Sequence, residues 1–327
     1  MTFIELSATD PDPPTEACGI PLAPRADRER HAPDRHVVLL QDGVAVARCS
    51  CWWNSGPSLA GERLGLVGHY AAAAAASGAA LLSHACALLS SAGCTMAAGP
   101  MDGNTWRRYR FVVDRGPEPP FFLEPDNPDE WPAHWLDAGF APLARYSSAI
   151  NDDLAVQDPR TPASLARRAD AGISIRTFDP NRADDELRRI YRLSLAAFSS
   201  NFLYTPIAEA EFTAQNAALL PLLEPELILL AVRDGELAGY VFALPDVLQA
   251  KRTGAADTFI IKTVAVDPAV AGHGLGSLLI DRVQQSARQM GFRRAIHALM
   301  HERNASRTIS GRYGRTIREY ALYSRAL

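Results

Sequence analysis

Between Val266 and Leu279 the chain reads VDPAVAGHGLGSLL, in which Gly272, Gly274 and Gly276 lead into an amphipathic run. Glycine tolerates the positive φ that lets successive backbone N–H groups turn toward one point, and a helix start adds the positive end of its dipole. Such a loop binds an anion, a phosphate above all. Ahead of it, TFIIKTVAV from Thr258 is rich in β-branched residues and reads as a strand. Behind it, Leu275, Leu279, Val283 and Ala287 recur every four residues, as in a helix lying on a sheet, and Gly291 closes that helix.

A dinucleotide fold would bring the first glycine almost directly after the strand and end the next strand on an acidic residue. Here Asp267, Pro268, Ala269, Val270 and Ala271 intervene, and the next strand, AIHALM from Ala295, runs into His301. The spacing V-A-V-D-P-x-x-x-G-x-G-L-G instead resembles the acyl-CoA loop of the GNAT N-acyltransferase superfamily. The residues C-terminal to the loop also match: a glycine, a strand, Asn304 opening a last helix, and a final strand pair in REYALYSRAL. The resemblance covers residues 172–327.

It implies that the amides of Ala271, Gly272, His273, Gly274, Leu275 and Gly276 hold the CoA pyrophosphate, that the pantetheine arm pairs with Val264, Ala265 and Val266, and that Asn304 touches the pantetheine. It also implies direct attack of an amine on an acyl-CoA, most simply acetyl-CoA, in a ternary complex without metal. Two positions depart from the family pattern. Ala271 stands where Gln or Arg usually opens the loop, and Ser310 stands where a tyrosine usually protonates the departing thiolate. Tyr313 lies three residues on, about 60° off the Ser310 face of a helix with 3.6 residues per turn, and its phenol reaches further. Tyr313 is therefore expected to be the donor, ahead of Ser310.

The acceptor side offers further candidates. Alternation along the strand puts Lys262 on one face with Ile260 and Val264, where relatives often carry a glutamate base; a lysine there binds a carboxylate or, if desolvated, takes a proton. His297, in the middle of AIHALM, has a side chain suited to a base or to core packing. Asn201 and Tyr204 lie in SSNFLYTPIAEAEF, where the superfamily shapes its acceptor pocket. In the first half GPMDGNTWRRYR concentrates Asp102, Asn104 and Arg107, which read either as a capped turn or as a substrate or interlobe surface.

These residues need scaffolding, and the chain spells out similar scaffolding twice. HVVLLQDGVAVARCSCWW and ELILLAVRDGELAGYVFAL are each two apolar runs joined by Asp-Gly, a hairpin signal, at Asp42-Gly43 and Asp234-Gly235. A helix ending in glycine comes after each at nearly the same interval, Gly43 to Gly93 and Gly235 to Gly291. The fold expected is α/β (α+β): two tandem GNAT-like lobes, each a mixed, mostly antiparallel twisted sheet flanked by helices. Residues 1–33, rich in Pro, Asp and Arg, read as a flexible arm, 34–150 as a degenerate lobe, 151–171 as the connection and 172–327 as the catalytic lobe. The first half has GHYAAAAAASG in place of the glycine loop; Ala71 to Ala76 favour continuous helix, so no CoA is expected there.

The 327 residues, 47% hydrophobic, suffice for two cores. No apolar run approaches the roughly 18 residues of a membrane span. The five cysteines, all in the first third, read as reduced thiols of a cytoplasmic protein, and the net charge of −4 does not favour nucleic acid. The partner expected is a small-molecule amine. Ala271 and the missing tyrosine also admit an acyl donor carried on a carrier protein or tRNA, or a CoA-binding protein without catalysis.

Overall fold

The computed structural model describes the chain except residues 14, 16, 157, 159–171 and 273. His273 and most of the connection expected at 151–171 thus lie outside the described residues. In the first half, β3 (Arg35–Gln41) and β4 (Val44–Trp52) form the hairpin at Asp42-Gly43; in the second, β10 (Ile228–Arg233) and β11 (Glu236–Pro245) form that at Asp234-Gly235. The turn residues have φ of 51° and 77°, and of 52° and 84°. Two positive φ values match the twist of the flanking strands, and Asp-Gly adopts them at low cost.

Each hairpin continues into a strand, a helix and a parallel strand. In the first half these are β5 (Leu64–Ala72), α2 (Ala75–Ser91) and β6 (Met96–Gly99); in the second they are β12 (Thr258–Val266), α7 (Leu275–Gln289) and β13 (Arg294–His301). Leu275, Leu279, Val283 and Ala287 are buried against Val241, Phe259 and Ile261, while Ile190 and Phe212 cover Leu230, Phe242 and Ile260 on the opposite face. Ile190 and Phe212 come from α4 (Ala183–Phe198) and α5 (Glu209–Ala217). The alternation of a strand with both faces covered thus sorts the second half into two cores.

Among the described residues the strands join in one 14-stranded sheet, ordered β1-β3-β4-β5-β6-β14-β8-β13-β12-β11-β10-β9, with β2 (Ala17–Cys18) beside β4 and β7 (Phe111–Asp114) on β14. Its ends are β1 (Thr2–Leu6) and β9 (Ser174–Thr177). The middle of the order interlocks the halves. β8 (Ala141–Asn151) leaves the first half to pair with β13, and β14 (Arg315–Ala326) leaves the second to pair with β6. The two exchanged strands also pair with each other, from Arg315↔Ile150 to Ser324↔Ala141.

Three expectations need correction. REYALYSRAL is part of one long strand, β14, whose partners come from the first half. Residues 1–33 are not an unstructured arm: β1 pairs with β3, and α1 (Arg25–His31) buries Arg28, which meets Asp12 at 2.6 Å. Composition over the Pro-rich stretch hid the strand TFIEL and the anchoring ion pair. Ala71 and Ala72 end β5, paired with Arg48 and Ala47, and the helix begins only at Ala75. A sheet-centre ladder overrides alanine's helix preference. The remaining helices among the described residues are α3 (Trp131–Asp137), α6 (Val247–Thr253) and α8 (Ala305–Ser310). No helix among the described residues is long and apolar enough to cross a membrane.

Candidate active site

The second half contains an opening in its sheet. β12 and β13 pair in parallel only from Thr258↔Arg294 to Ile261↔His297. Beyond that, β12 stays with β11 as far as Gly239↔Val266, while β13 passes through an irregularity between His297 and Met300 and follows β8. Leu299, at the irregularity, has φ of 61°. From Lys262 to Val266, therefore, no strand among the described residues covers the β13 side of β12. Val264, Ala265 and Val266 present that edge.

The glycine loop sits at the end of this edge. Asp267 accepts a hydrogen bond from the Ala269 amide at 2.8 Å and starts a short 3-10 turn; Gly272 and Gly274 then take φ of 84° and 78°, and α7 begins at Leu275. The first helical backbone bond is Leu278 N–H to the Gly274 carbonyl at 3.1 Å, so the amides of Leu275, Gly276 and Ser277 precede it. The first turn carries no acidic residue. A Cβ on Gly276 would lie 3.7–3.9 Å from Val266, Val264 and Ile309, which places the loop against the open edge and α8. Free amides, dipole and absence of acid fit a pyrophosphate at this point. Asn304 caps α8 by position, is exposed, and makes no side-chain cap hydrogen bond.

Lys262 sits where β12 and β13 part. The β11–β12 register slips between Phe242 and Ala243, and Lys262 is the extra residue on β12. This bulge breaks the expected alternation: Ile260 lies under α4 and α5, whereas Val264 packs on the α7 side. Lys262 is exposed to solvent, and the protein packed around it lowers its pKa from the ordinary lysine value.

The other titratable candidates are less free. His297 is buried, its pKa pushed down to about 4 by burial, and its Nε2 has no hydrogen-bond partner. Tyr313 is not on a helix; it lies in the turn after α8, and its hydroxyl donates to Asp281 Oδ1 on α7 at 2.5 Å. Burial, then the Asp281 carboxylate, raises the phenol's pKa. The expected proton donor has thus already committed its proton, because the helix that the 60° estimate assumed stops at Ser310. Ser310 is buried with its Oγ unpartnered.

The first-half candidates meet protein. Asp102 Oδ1 accepts from the His69 amide at 2.6 Å; Asn104 Oδ1 accepts from the amides of Trp106 and Arg107. Arg107 reaches across to Glu211 on α5, at 2.7 and 2.9 Å. Trp106 Nε1 donates to the Thr205 carbonyl, and its ring packs against Tyr204. The Tyr204 hydroxyl bonds the Leu195 carbonyl at 3.3 Å, whereas Asn201 is exposed. This segment therefore braces the loop after α4.

The first half has a matching opening, but its own chain closes it. β5 and β6 pair only from Leu64↔Met96 to Leu66↔Ala98. Beyond them the Met101 amide bonds the Val67 carbonyl at 2.9 Å, and a Cβ on Gly68 would collide with the Met101 carbonyl.

A model of the acetyltransferase (GNAT) family matches residues 187–308, the stretch holding the open edge, the glycine loop and α7. The second half is thus similar to that family, and the first half lies outside the match. The bacterial ceramide synthase of Caulobacter vibrioides (strain NA1000 / CB15N) is 31% identical over 86 residues, 26% of this chain and 22% of that protein. The similarity thus spans less than a quarter of that relative's length. A GCN5-related N-acetyltransferase from Sphaerobacter thermophilus shares the fold with a TM-score of 0.51, at 16% identity over 89% of this chain and 80% of that one. A glucosamine N-acetyltransferase region of a fungal multi-domain β-N-acetylglucosaminidase gives 0.53 at 14% identity, covering 89% of this chain and 33% of that one.

Sequence reasoning passed over one group of residues in this protein. Arg110, Tyr146 and His301 gather where β13 diverges, with Phe202 from the loop after α4. The only sequence signal was the short basic run around Tyr109, and nothing in it pointed to β8 or β13.

Proposed function

We propose that this protein is an acyl-CoA-dependent N-acyltransferase, with acetyl the simplest acyl group, whose second half carries the reaction while the first half serves as structural partner and cleft wall. The observation that carries this reading is the parting of β12 from β13 beside a glycine loop that opens α7. Acyl-CoA supplies the activated carbonyl and a thiolate leaving group. The unpaired edge at Val264, Ala265 and Val266 supplies backbone groups for a pantetheine arm and N–H donors for the thioester carbonyl as it gains negative charge. The amides of Gly272, Gly274, Leu275 and Gly276 hold the pyrophosphate, whereas the Ala271 amide bonds the Pro268 carbonyl at 3.3 Å.

The acceptor amine must attack uncharged. Lys262, at the cleft with a lowered pKa, is the group we assign to take its proton. His297 lies in the core and Tyr313 is held by Asp281, so neither serves. A thiol with an ordinary pKa of about 8.5 leaves without strong acid help. Water then completes the proton transfer.

The test is calorimetric titration with CoA, followed by thiol release from acetyl-CoA over a panel of amines. One site per chain is expected, and Gly274→Asp should abolish binding by placing a carboxylate where the pyrophosphate lies. Two equivalent sites, or unimpaired binding by that variant, would overturn the placement. CoA binding without turnover on any amine would favour a CoA-binding protein without catalysis.

A further inference from the structure

Arg110 is 6% exposed and lacks the partner that the other deeply placed arginines have. Buried Arg28 meets Asp12 at 2.6 Å and buried Arg318 meets Glu124 at 2.7 Å. Among the described residues no carboxylate forms an ion pair with Arg110. Its side chain makes one long hydrogen bond, Nη1 to the Leu299 carbonyl at 3.5 Å, and Nε has no partner. A buried guanidinium without an anion is costly.

The rings around it compensate in part and fix its orientation. The guanidinium carbon lies 4.0 Å from the Tyr109 ring centroid and 4.3 Å from that of Tyr146, and the two rings stand at 83° to each other. Ring faces attract the charge but do not satisfy the in-plane N–H donors, which suit the two oxygens of an oxyanion. Tyr109, Phe202, Leu299 and His301 around the group are only half-buried, so the corner opens to solvent. Leu299 belongs to the diverging part of β13, and Phe202 to the loop after α4; the pocket thus adjoins the cleft on the α4 and α5 side. The CoA loop is at the start of α7, across the sheet. Arg110 itself has φ of 66°, a strained value for a side-chain-bearing residue.

We propose that Arg110, held in the corner of Tyr109 and Tyr146, receives an oxyanion on the acyl acceptor, so that the substrate is an amine that also carries a carboxylate or phosphate. The inference deepens the acyltransfer reading and rests on its placing of the acceptor. It assigns Arg110 to binding and specificity, with Lys262 nearer the amine.

The experiment uses the full chain saturated with CoA, in its original form and as Arg110→Met and Arg110→Lys. Calorimetry measures binding of α-amino acids, their carboxamides and phosphoethanolamine; thiol release from acetyl-CoA is recorded separately. The original chain should prefer an acid over its amide by roughly tenfold or more, the scale of a charge-assisted bidentate pair, and Arg110→Met should lose that preference at unchanged CoA affinity. Stronger binding of phosphoethanolamine than of any amino acid would identify phosphate as the source of the oxyanion, and the reverse a carboxylate. If Arg110→Met does not fold, Arg110→Lys decides, since it keeps the charge without the fork and should weaken acid binding while sparing the amide. Equal binding of acid and amide, a preference that survives both substitutions, or lost CoA affinity would overturn the proposal. Discrimination in binding without turnover would retire acyl transfer and keep the oxyanion site; turnover without discrimination would retire the site alone.

Discussion

Tyr313 and Lys262 should respond to substitution in opposite ways. The Tyr313 hydroxyl is 2.5 Å from Asp281 in the core under α7, and Asp281's own pKa is raised by burial. Tyr313→Phe should therefore cost stability, about 1.5–3 kcal/mol for a buried hydrogen bond to a charged group, and change kcat only a few-fold. Lys262→Met should do the reverse: near-normal unfolding by urea, CoA affinity retained, and kcat lower by roughly 100-fold at neutral pH, with the loss shrinking as pH rises and the amine deprotonates unaided. A large kcat loss in Tyr313→Phe with chemistry rate-limiting would return the donor role to the phenol. The glycines were readable from sequence because a positive φ restricts residue choice at the position itself. Ile260 and Val264 do not share one face with Lys262 because a bulge opposite Phe242 and Ala243, which depends on another strand, intervenes. Arg110 was overlooked because its meaning comes from Tyr146 and Leu299, distant in sequence.

At the scale of elements, α1, β3, β4 and β5 are tied by a chain of polar side chains. His31 Nδ1 lies 2.8 Å from His69 Nε2, whose ring partner Nδ1 lies 2.9 Å from Ser50 Oγ, itself 2.8 Å from His36 Nδ1. Burial first, then neighbouring arginines, push these pKa values down to about 4 for His31, about 3 for His69 and about 2 for His36. Unfolded histidines titrate near 6.5, so between that pH and the folded values the unfolded chain binds more protons. Their contribution is complete above about pH 6.5 and is lost as pH falls through the folded values, at no more than about 1.4 kcal/mol per unit for each ring. Urea unfolding from pH 7 to pH 4 should show this decline, and His36→Gln should flatten it; a flat profile in the original chain would refute the burial of these rings. The Asp-Gly hairpins that bring the strands together were legible because both turn residues are local determinants. The extent of β5 through Ala72 was not, since pairing with β4 outweighs what alanine prefers alone.

The whole molecule depends on two strands that cross between its halves, and this no local pattern could show. The alternation in ARYSSAI and REYALYSRAL identifies strands but not partners, because pairing is set by which edges remain open once both halves assemble. Every strand that pairs with β14, namely β6, β7 and β8, comes from the first half, and β8 also covers the β13 edge. A fragment of residues 172–327 would keep the CoA loop while leaving β14 without a partner strand and one edge of β13 bare. Buried strand edges without partners strand backbone N–H and C=O groups, and exposed ones template aggregation. The fragment should therefore be recovered aggregated or without a cooperative unfolding transition, and without CoA affinity despite its intact glycine loop. Co-production with residues 1–151 should restore a complex that high salt does not dissociate, since ladder hydrogen bonds and apolar packing join the halves alongside ion pairs such as Arg107–Glu211. A monomeric fragment that unfolds cooperatively and acetylates amines at the full rate would show that the second half suffices, and the first would no longer be needed as cleft wall.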